Sequence, residues 1–268
     1  MIKKYRFLIA RRITQISIMV LYVIANLFGI NILMGNLSSS LVLNTIPLSD
    51  PYAVLQMFFA GAVISFDILL GAFFILIFYM ILGGRAFCSW VCPVNIITDF
   101  ANYLRKKFGF NQIQKKQPAS RNIRYWIIAI SFIISFLMGI TAFELISPIS
   151  MVHRGIIFGM GFGWAVISII FLFDLFVLKN GWCGHICPLG GFYSLIGRFS
   201  LLRVHHNSEK CTACMKCKVV CPEIQVLHMI DKSSEPVLQE CTLCARCIEV
   251  CEDDALNFEL RNYMKEKK

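Results

Sequence analysis

The chain has 268 residues, 57% of them hydrophobic and only 16% charged, with a mean hydropathy of +0.67, whereas soluble domains are about half apolar and about a quarter charged. This excludes an ordinary water-soluble globule and points to a lipid bilayer. The net charge of +10 is the basic excess that cytoplasmic loops of membrane proteins carry, and nothing interleaves basic with aromatic residues as a strand-binding groove does, so no nucleic acid is expected as a partner.

In chain order, four apolar stretches are long enough to cross a bilayer, which takes about 20 helical residues for about 30 Å of hydrocarbon. They cover residues 13–34, 58–82, 125–146 and 156–178. Lys3, Lys4, Arg6, Arg11 and Arg12 precede the first. Its apolar run is too long for a signal peptide and no small-residue cleavage site follows, so it is expected to stay as an anchor. Between the second and third spans lie Arg85, Arg105, Lys106, Lys107, Lys115, Lys116, Arg121 and Arg124, and after the fourth come Lys179, Arg198 and Arg203. Residues 35–56 hold no Lys or Arg, and the connection between spans three and four holds only Arg154. The distribution predicts that both termini are cytoplasmic. Asn36, Ser38, Pro47, Asp50 and Pro51 mark the loop after span one as a polar outside connection with turn chemistry.

An internal repeat overlies the spans. Arg85-Ala-Phe-Cys88-Ser-Trp-Val-Cys92-Pro93 follows the second, and Asn180-Gly-Trp-Cys183-Gly-His-Ile-Cys187-Pro188 follows the fourth, 95 residues later. Each half is predicted to be a helix hairpin ending in CxxxCP, the two copies being parallel repeats about an axis along the membrane normal. Residues 95–108 and 191–202 place apolar positions at helical spacing beside Arg and Lys, which predicts helices lying on the inner leaflet. On a helix, Cys88 and Cys92 share a face, as do Cys183 and Cys187, with the proline ending or bending the turn. The pairs are candidates for a further redox or metal site: one four-thiolate site, two separate dithiols, or half-sites completed by a partner. Inert buried cysteine is the plainer alternative, and duplication at matching positions argues against it. His185 has Trp90 as its counterpart, so as a ligand it would serve only one copy.

From residue 207 the composition turns polar and one pattern occurs twice: Cys211, Cys214, Cys217, Cys221-Pro222, then Cys241, Cys244, Cys247, Cys251. This is the bacterial two-cluster ferredoxin spacing, in which the fourth cysteine of each run ligates the other cluster. The expected sets are Cys211, Cys214, Cys217 with Cys251 for one [4Fe-4S] cluster, and Cys241, Cys244, Cys247 with Cys221 for the other. Disulfides do not suit a cytoplasmic domain, and zinc sites use separated pairs without a third cysteine in step. Glu252 stands where proline usually follows the fourth cysteine, and with Asp253 and Asp254 it adds negative charge expected to favour the oxidised form. The expected fold is an α-helical integral membrane protein of four transmembrane helices in two parallel hairpin repeats over residues 1–206, with a C-terminal cytoplasmic α+β double-cluster ferredoxin-like domain over residues 207–268.

Four spans, two CxxxCP motifs and a terminal double ferredoxin motif resemble the NapH family, the membrane ferredoxin-type subunits of the quinol dehydrogenase of periplasmic nitrate reductase. The resemblance covers essentially the whole chain. It implies a multi-pass protein of the bacterial inner (cytoplasmic) membrane, serving as an electron-transfer subunit. The electrons would come from menaquinol or ubiquinol, and a NapG-like periplasmic iron-sulfur protein and a membrane-anchored cytochrome c would act with it. Quinol oxidation sheds two protons with two electrons, so a base is needed near the quinol. Asp67 within span two is the first candidate, because ionisable groups at membrane depth are costly and commonly functional. Glu144, His153 and Arg154 are expected to cluster at the outer face as a proton outlet, and Asp174 lies near the cytoplasmic end of span four. Gly155, Gly159, Gly161 and Gly163 read as helix-packing positions. Two alternatives stand beside this: the equivalent subunit for nitrous oxide reductase, and a redox assembly or maturation factor without quinol turnover. The related cytochrome oxidase assembly proteins carry a further C-terminal domain that this sequence, ending at Lys268, is expected to lack.

Overall fold

The computed structural model describes residues 5–29, 33–43, 45–110, 122–159, 161 and 163–261. Lys3, Lys4, Lys115, Lys116 and Arg121, used in the charge reading, lie outside the described residues. The described chain forms two compact units, neither a contiguous stretch. One comprises Met1–Thr14, Phe78–Val91 and Tyr193–Lys268, the other Gln15–Ile77 and Cys92–Phe192.

The second unit is mostly helical. Its elements begin in α1 (Arg6–Phe28), followed by a three-stranded antiparallel sheet of β1 (Leu33–Gly35), β2 (Ser39–Val42) and β3 (Ile46–Ser49). The register places Gly35 opposite Ser40 and Leu41 opposite Pro47. The composition of this segment predicts a turn-rich connection. The strands escaped notice because they are three or four residues long and lack strict alternation, while the turn was legible: Asn36 Oδ1 accepts the backbone N–H groups of Ser38 and Ser39. Asp50 caps α2 (Pro51–Phe59) by accepting from the Tyr52 N–H, with Pro51 in the first helical position. Next in chain order come α3 (Phe66–Leu82), which from Phe78 on belongs to the first unit, and α4 (Ala86–Trp90), which belongs to it entirely. Then follow α5 (Val94–Lys107), α6 (Ile123–Met138), α7 (Ala142–Ile146), α8 (Pro148–Phe158), α9 (Gly163–Leu172), a π-helical turn Phe173–Val177, a second at Trp182–Ile186, and α10 (Pro188–Ile196), whose end from Tyr193 returns to the first unit.

Helices occupy all four apolar stretches, but among the described residues only α1 is long and apolar enough to cross a bilayer unaided. The other three stretches are interrupted by glycines in the left-handed region, a conformation glycine adopts at no steric cost: Gly61 after α2, Gly139 capping α6, and Gly159 with Gly161 between α8 and α9. Gly159 and Gly161 are therefore turn positions, not the packing positions expected of them. The apolar surface is nonetheless large and bare. Phe73 is 60% exposed, Trp126 70% and Ile169 65%, a pattern that soluble monomers avoid over large contiguous areas. Inside the unit, Tyr52 is buried against the rings of Phe132, Phe143 and Phe192, with its hydroxyl 2.6 Å from Ser131 Oγ.

Helix α5 differs from the leaflet-lying helix expected of it. Val94, Thr98, Ala101, Asn102 and Arg105 form a buried stripe at helical spacing. Arg105 donates from Nη1 to the carbonyls of Asp174 and Leu175, filling acceptors at the first π-helical turn.

In the first unit, β4 (Leu202–His206) pairs antiparallel with β5 (Leu256–Leu260), and the two cysteine runs lie between them with α11 (Lys216–Val220) and α12 (Arg246–Val250). The expected domain boundary after residue 206 thus falls at the end of a strand whose partner lies 50 residues on. The unit also takes in chain from far upstream. Glu249 Oε1 accepts the Phe7 and Leu8 N–H groups at 2.6 and 3.2 Å, placing a carboxylate at the otherwise unsatisfied N-terminus of α1, and Phe7 meets Phe258 edge to face. Gly84 sits so close to the backbone of Tyr193 and Gly197 that a β-carbon there would collide with the Tyr193 carbonyl oxygen.

Candidate iron-sulfur site

The two cysteine runs fold alike. Ala213 and Met215 in the first, Leu243 and Ala245 in the second, all have φ between 52° and 60°. Non-glycine residues pay for the left-handed conformation in strain, and its recurrence at matching positions of both runs marks a loop shape set by something it encloses. These residues wrap each Cys-x-x-Cys-x-x-Cys turn, and α11 or α12 then carries the third cysteine, Cys217 or Cys247.

The fourth cysteines cross over. Cys217 lies close enough to Cys211, Cys214 and Cys251 to feel their charge, and burial above all pushes its thiol up. Cys211, Cys214, Cys217 and Cys251 also line one common cleft, together with His206, Met215 and Asp253. Cys247 feels the charge of Cys241, Cys244 and Cys221, and less strongly that of Cys217. Burial, then Cys244, pushes the Cys241 thiol up to about 12, with Arg85 acting in the opposite direction. Thiols held protonated in this way become thiolates when a metal takes the proton's place. The donor set therefore fits iron: four sulfurs per group, with N–H groups turned toward them. Leu243 N–H donates to Cys241 Sγ at 3.4 Å and Ala255 N–H to Cys251 Sγ at 3.3 Å. Such bonds stabilise negative charge on sulfur and help set cluster potential.

The surroundings of the two groups differ. Cys214 is exposed, whereas Cys244 is buried. Beside the first group, Asp253 accepts from the Thr212 N–H and hydroxyl. Glu252, one of the negative charges expected to favour the oxidised form, pairs with Lys216 at 2.8 Å on the exposed surface.

Sequence reasoning missed the residues around the second group. Arg85 was counted as one more loop charge, yet its side chain is fully buried and pairs with Glu223 at 3.0 Å. Its position one turn before Cys88 was the available signal.

The CxxxCP cysteines do not share a helical face in the way expected. Cys88 lies in α4 but the helix ends at Trp90, before Cys92. Cys183 lies in the second π-helical turn, and Cys187 beyond it is extended, with ψ 112°. The proline explains both: it disfavours helical backbone in the residue before it, then starts the next helix, as Pro188 does in α10 and Pro93 does just ahead of α5. In each copy the first cysteine is half-buried and the second buried. Cys183 lies 3.9 Å from Thr98 Oγ1, and the Cys92 carbonyl accepts from Gln15 Nε2. His185 lies within the second π-helical turn.

Of the four quinol candidates, Asp67 is exposed in the first turn of α3, where it complements the helix dipole. Glu144 accepts from the Ser38 and Ser150 hydroxyls, both at 2.6 Å. His153, one turn after Ser150 on α8, is buried against Tyr22 with ring centroids 4.7 Å apart, and burial, then Arg154, lowers its pKa. Arg154 is exposed. Asp174 is fully buried and accepts the Trp182 N–H at 3.0 Å.

The family model described as a 4Fe-4S binding domain matches residues 57–111 and again 160–205, and a 4Fe-4S dicluster domain model matches residues 203–252. The ferredoxin-type protein NapH of Haemophilus influenzae is 41% identical over 96% of this chain and 90% of its own length, and that of Escherichia coli 39% identical over 97% and 91%. The chain belongs to the NapH family. A methylamine utilization ferredoxin-type protein, MauN of Methylorubrum extorquens, is 43% identical over 85% of the chain and 78% of its own length. No solved structure matches. The twofold match to the first model falls on the two CxxxCP repeats, so the duplication read from spacing is also a duplication of domain. The protein is a NapH-type, ferredoxin-like iron-sulfur protein of electron transport.

Proposed function

We propose that the protein is a multi-pass subunit of the bacterial inner membrane, with both termini cytoplasmic, that carries electrons from menaquinol or ubiquinol through two [4Fe-4S] clusters toward the periplasmic nitrate reductase system. The observation that carries this is the crossed grouping of thiols, Cys251 with Cys211, Cys214 and Cys217, and Cys221 with Cys241, Cys244 and Cys247, in a chain that aligns with NapH almost end to end. These cysteines hold the clusters, which supply one-electron transfer; the residues around them exclude water and donate N–H groups to sulfur.

The bare apolar helices support membrane embedding in four spans. The twofold match of a cluster-binding domain to the CxxxCP copies supports a redox role for Cys88, Cys92, Cys183 and Cys187. Glu144 and His153 are the better proton-handling candidates, being held in place by partners, while Asp67 and Arg154 are exposed. A NapG-like iron-sulfur protein and a membrane-anchored cytochrome c are the expected partners. The likeness to MauN supports a second reading, in which the same electron-transfer module serves methylamine utilization and only the acceptor differs.

The test is anaerobic isolation of the full chain in membranes, followed by addition of a quinol analogue. Reduction of the clusters seen by EPR supports quinol oxidation; clusters that quinol never reduces point to an assembly or maturation role.

A further inference from the structure

The first CxxxCP segment grips the second cysteine loop through three side chains. Arg85 Nη1 donates to the Glu240 carbonyl at 2.8 Å, Ser89 Oγ to the Thr242 carbonyl at 2.6 Å, and Trp90 Nε1 to the Leu243 carbonyl at 3.1 Å. These carbonyls lie on both sides of Cys241, so the loop is fastened before and after its first sulfur. The Arg85 guanidinium also pairs with Glu223, two positions after Cys221, at 3.0 Å, the side chains being 0% and 3% exposed. Gln225 Nε2 ties the Glu223 and Glu240 carboxylates together at 3.0 Å each.

Charges buried in this way are weakly screened and act on a neighbouring cluster far more strongly than they would in water. The second CxxxCP copy carries Asn180, Gly184 and His185 where the first has Arg85, Ser89 and Trp90. The gripping set therefore belongs to one copy alone. Around the other cysteine group, Asp253 is half-buried and the Lys216–Glu252 pair is exposed.

We propose that the first CxxxCP segment is a clamp on the second cysteine loop, and that its buried Arg85 raises the reduction potential of the cluster held by Cys221, Cys241, Cys244 and Cys247, while Glu223 lowers it. The inference rests on the reading that these four cysteines hold a cluster. No bond forms or breaks: the cluster gains one electron, and the fixed charges set how readily it does so. Charge beside the cluster is one of the protein's levers on potential, and here the cation comes from a segment more than 150 residues upstream of the loop.

An EPR-monitored redox titration of the anaerobically purified full chain tests this. A Cys214→Ser background, lacking the other cluster, assigns the wave. The expected results are a shift to more negative potential in Arg85→Gln, a shift to more positive potential in Glu223→Gln, and a value near the unmodified one in Arg85→Lys, with the other cluster's wave stationary throughout. If Arg85→Gln does not assemble, Glu223→Gln, of nearly unchanged volume, still carries the sign. Two waves moving together, no movement in the assembled variants, or a negative shift in Glu223→Gln would overturn the proposal. An unmodified chain showing one cluster overturns the two-cluster reading beneath it, which the iron content distinguishes.

Discussion

The two cysteine loops have one backbone shape and two environments. Both turn through left-handed residues at matching positions and hand their fourth cysteine to the other group. The first opens to solvent at Cys214, whereas the second is buried, fastened by Arg85, Ser89 and Trp90. Repetition thus fixes the ligand geometry, and the chain that packs around each copy decides how tightly it is held and in what field.

The largest expected effect comes from removing a ligand. Cys244→Ser should lose the buried cluster and loosen the clamp that packs on its loop, lowering the thermal midpoint as well as the iron content. Cys214→Ser should cost iron with little change in midpoint. Equal losses of stability in the two variants would remove the distinction between the loops.

Next is Arg85→Ala. It leaves the Glu223 carboxylate buried without its cation, a change that costs about 3–5 kcal/mol. Denaturant unfolding in detergent, compared with an alanine variant of the exposed Lys216, checks it; the Lys216 change should scarcely register, since exposed pairs contribute little. Smaller again is Glu249→Ala, which uncaps the first turn of α1 at a cost of about 1 kcal/mol, visible as faster proteolysis near Phe7. The smallest is a pH effect at His153. Its folded-state pKa lies below the ordinary 6.5, so above about that pH the ring is neutral in both states. As pH falls below it, the unfolded chain takes up the proton first and stability declines. His153→Phe should flatten that decline between pH 7.5 and 5.5 in thermal unfolding.

The cysteine pattern was the most legible part of the molecule, because cluster chemistry demands fixed spacing and the runs are short enough for spacing to determine geometry. The duplication was legible for the same reason. The helix interruptions were not. A glycine such as Gly139 or Gly159 packs helices and breaks them equally well, and only its φ tells the two apart. The arginines misled most. The sequence counts Arg85 and Arg105 among the basic residues between the second and third spans, yet both are fully buried and donate to carbonyls and, for Arg85, a carboxylate. Charge counting locates such residues along the chain but carries nothing about the acceptors they meet, which come from segments distant in sequence. The strands β1 to β3 escaped because their pairing, not their composition, makes them strands.

The crossed exchange of the fourth cysteine can be measured by counting iron in two double variants. Cys214→Ser with Cys251→Ser strikes a single group, so it should leave one intact cluster and about half the iron. Cys214→Ser with Cys221→Ser strikes both groups and should leave neither cluster intact. The reverse outcome, with the first pair losing both clusters and the second losing one, would mean that each run keeps its own fourth cysteine and would contradict the account.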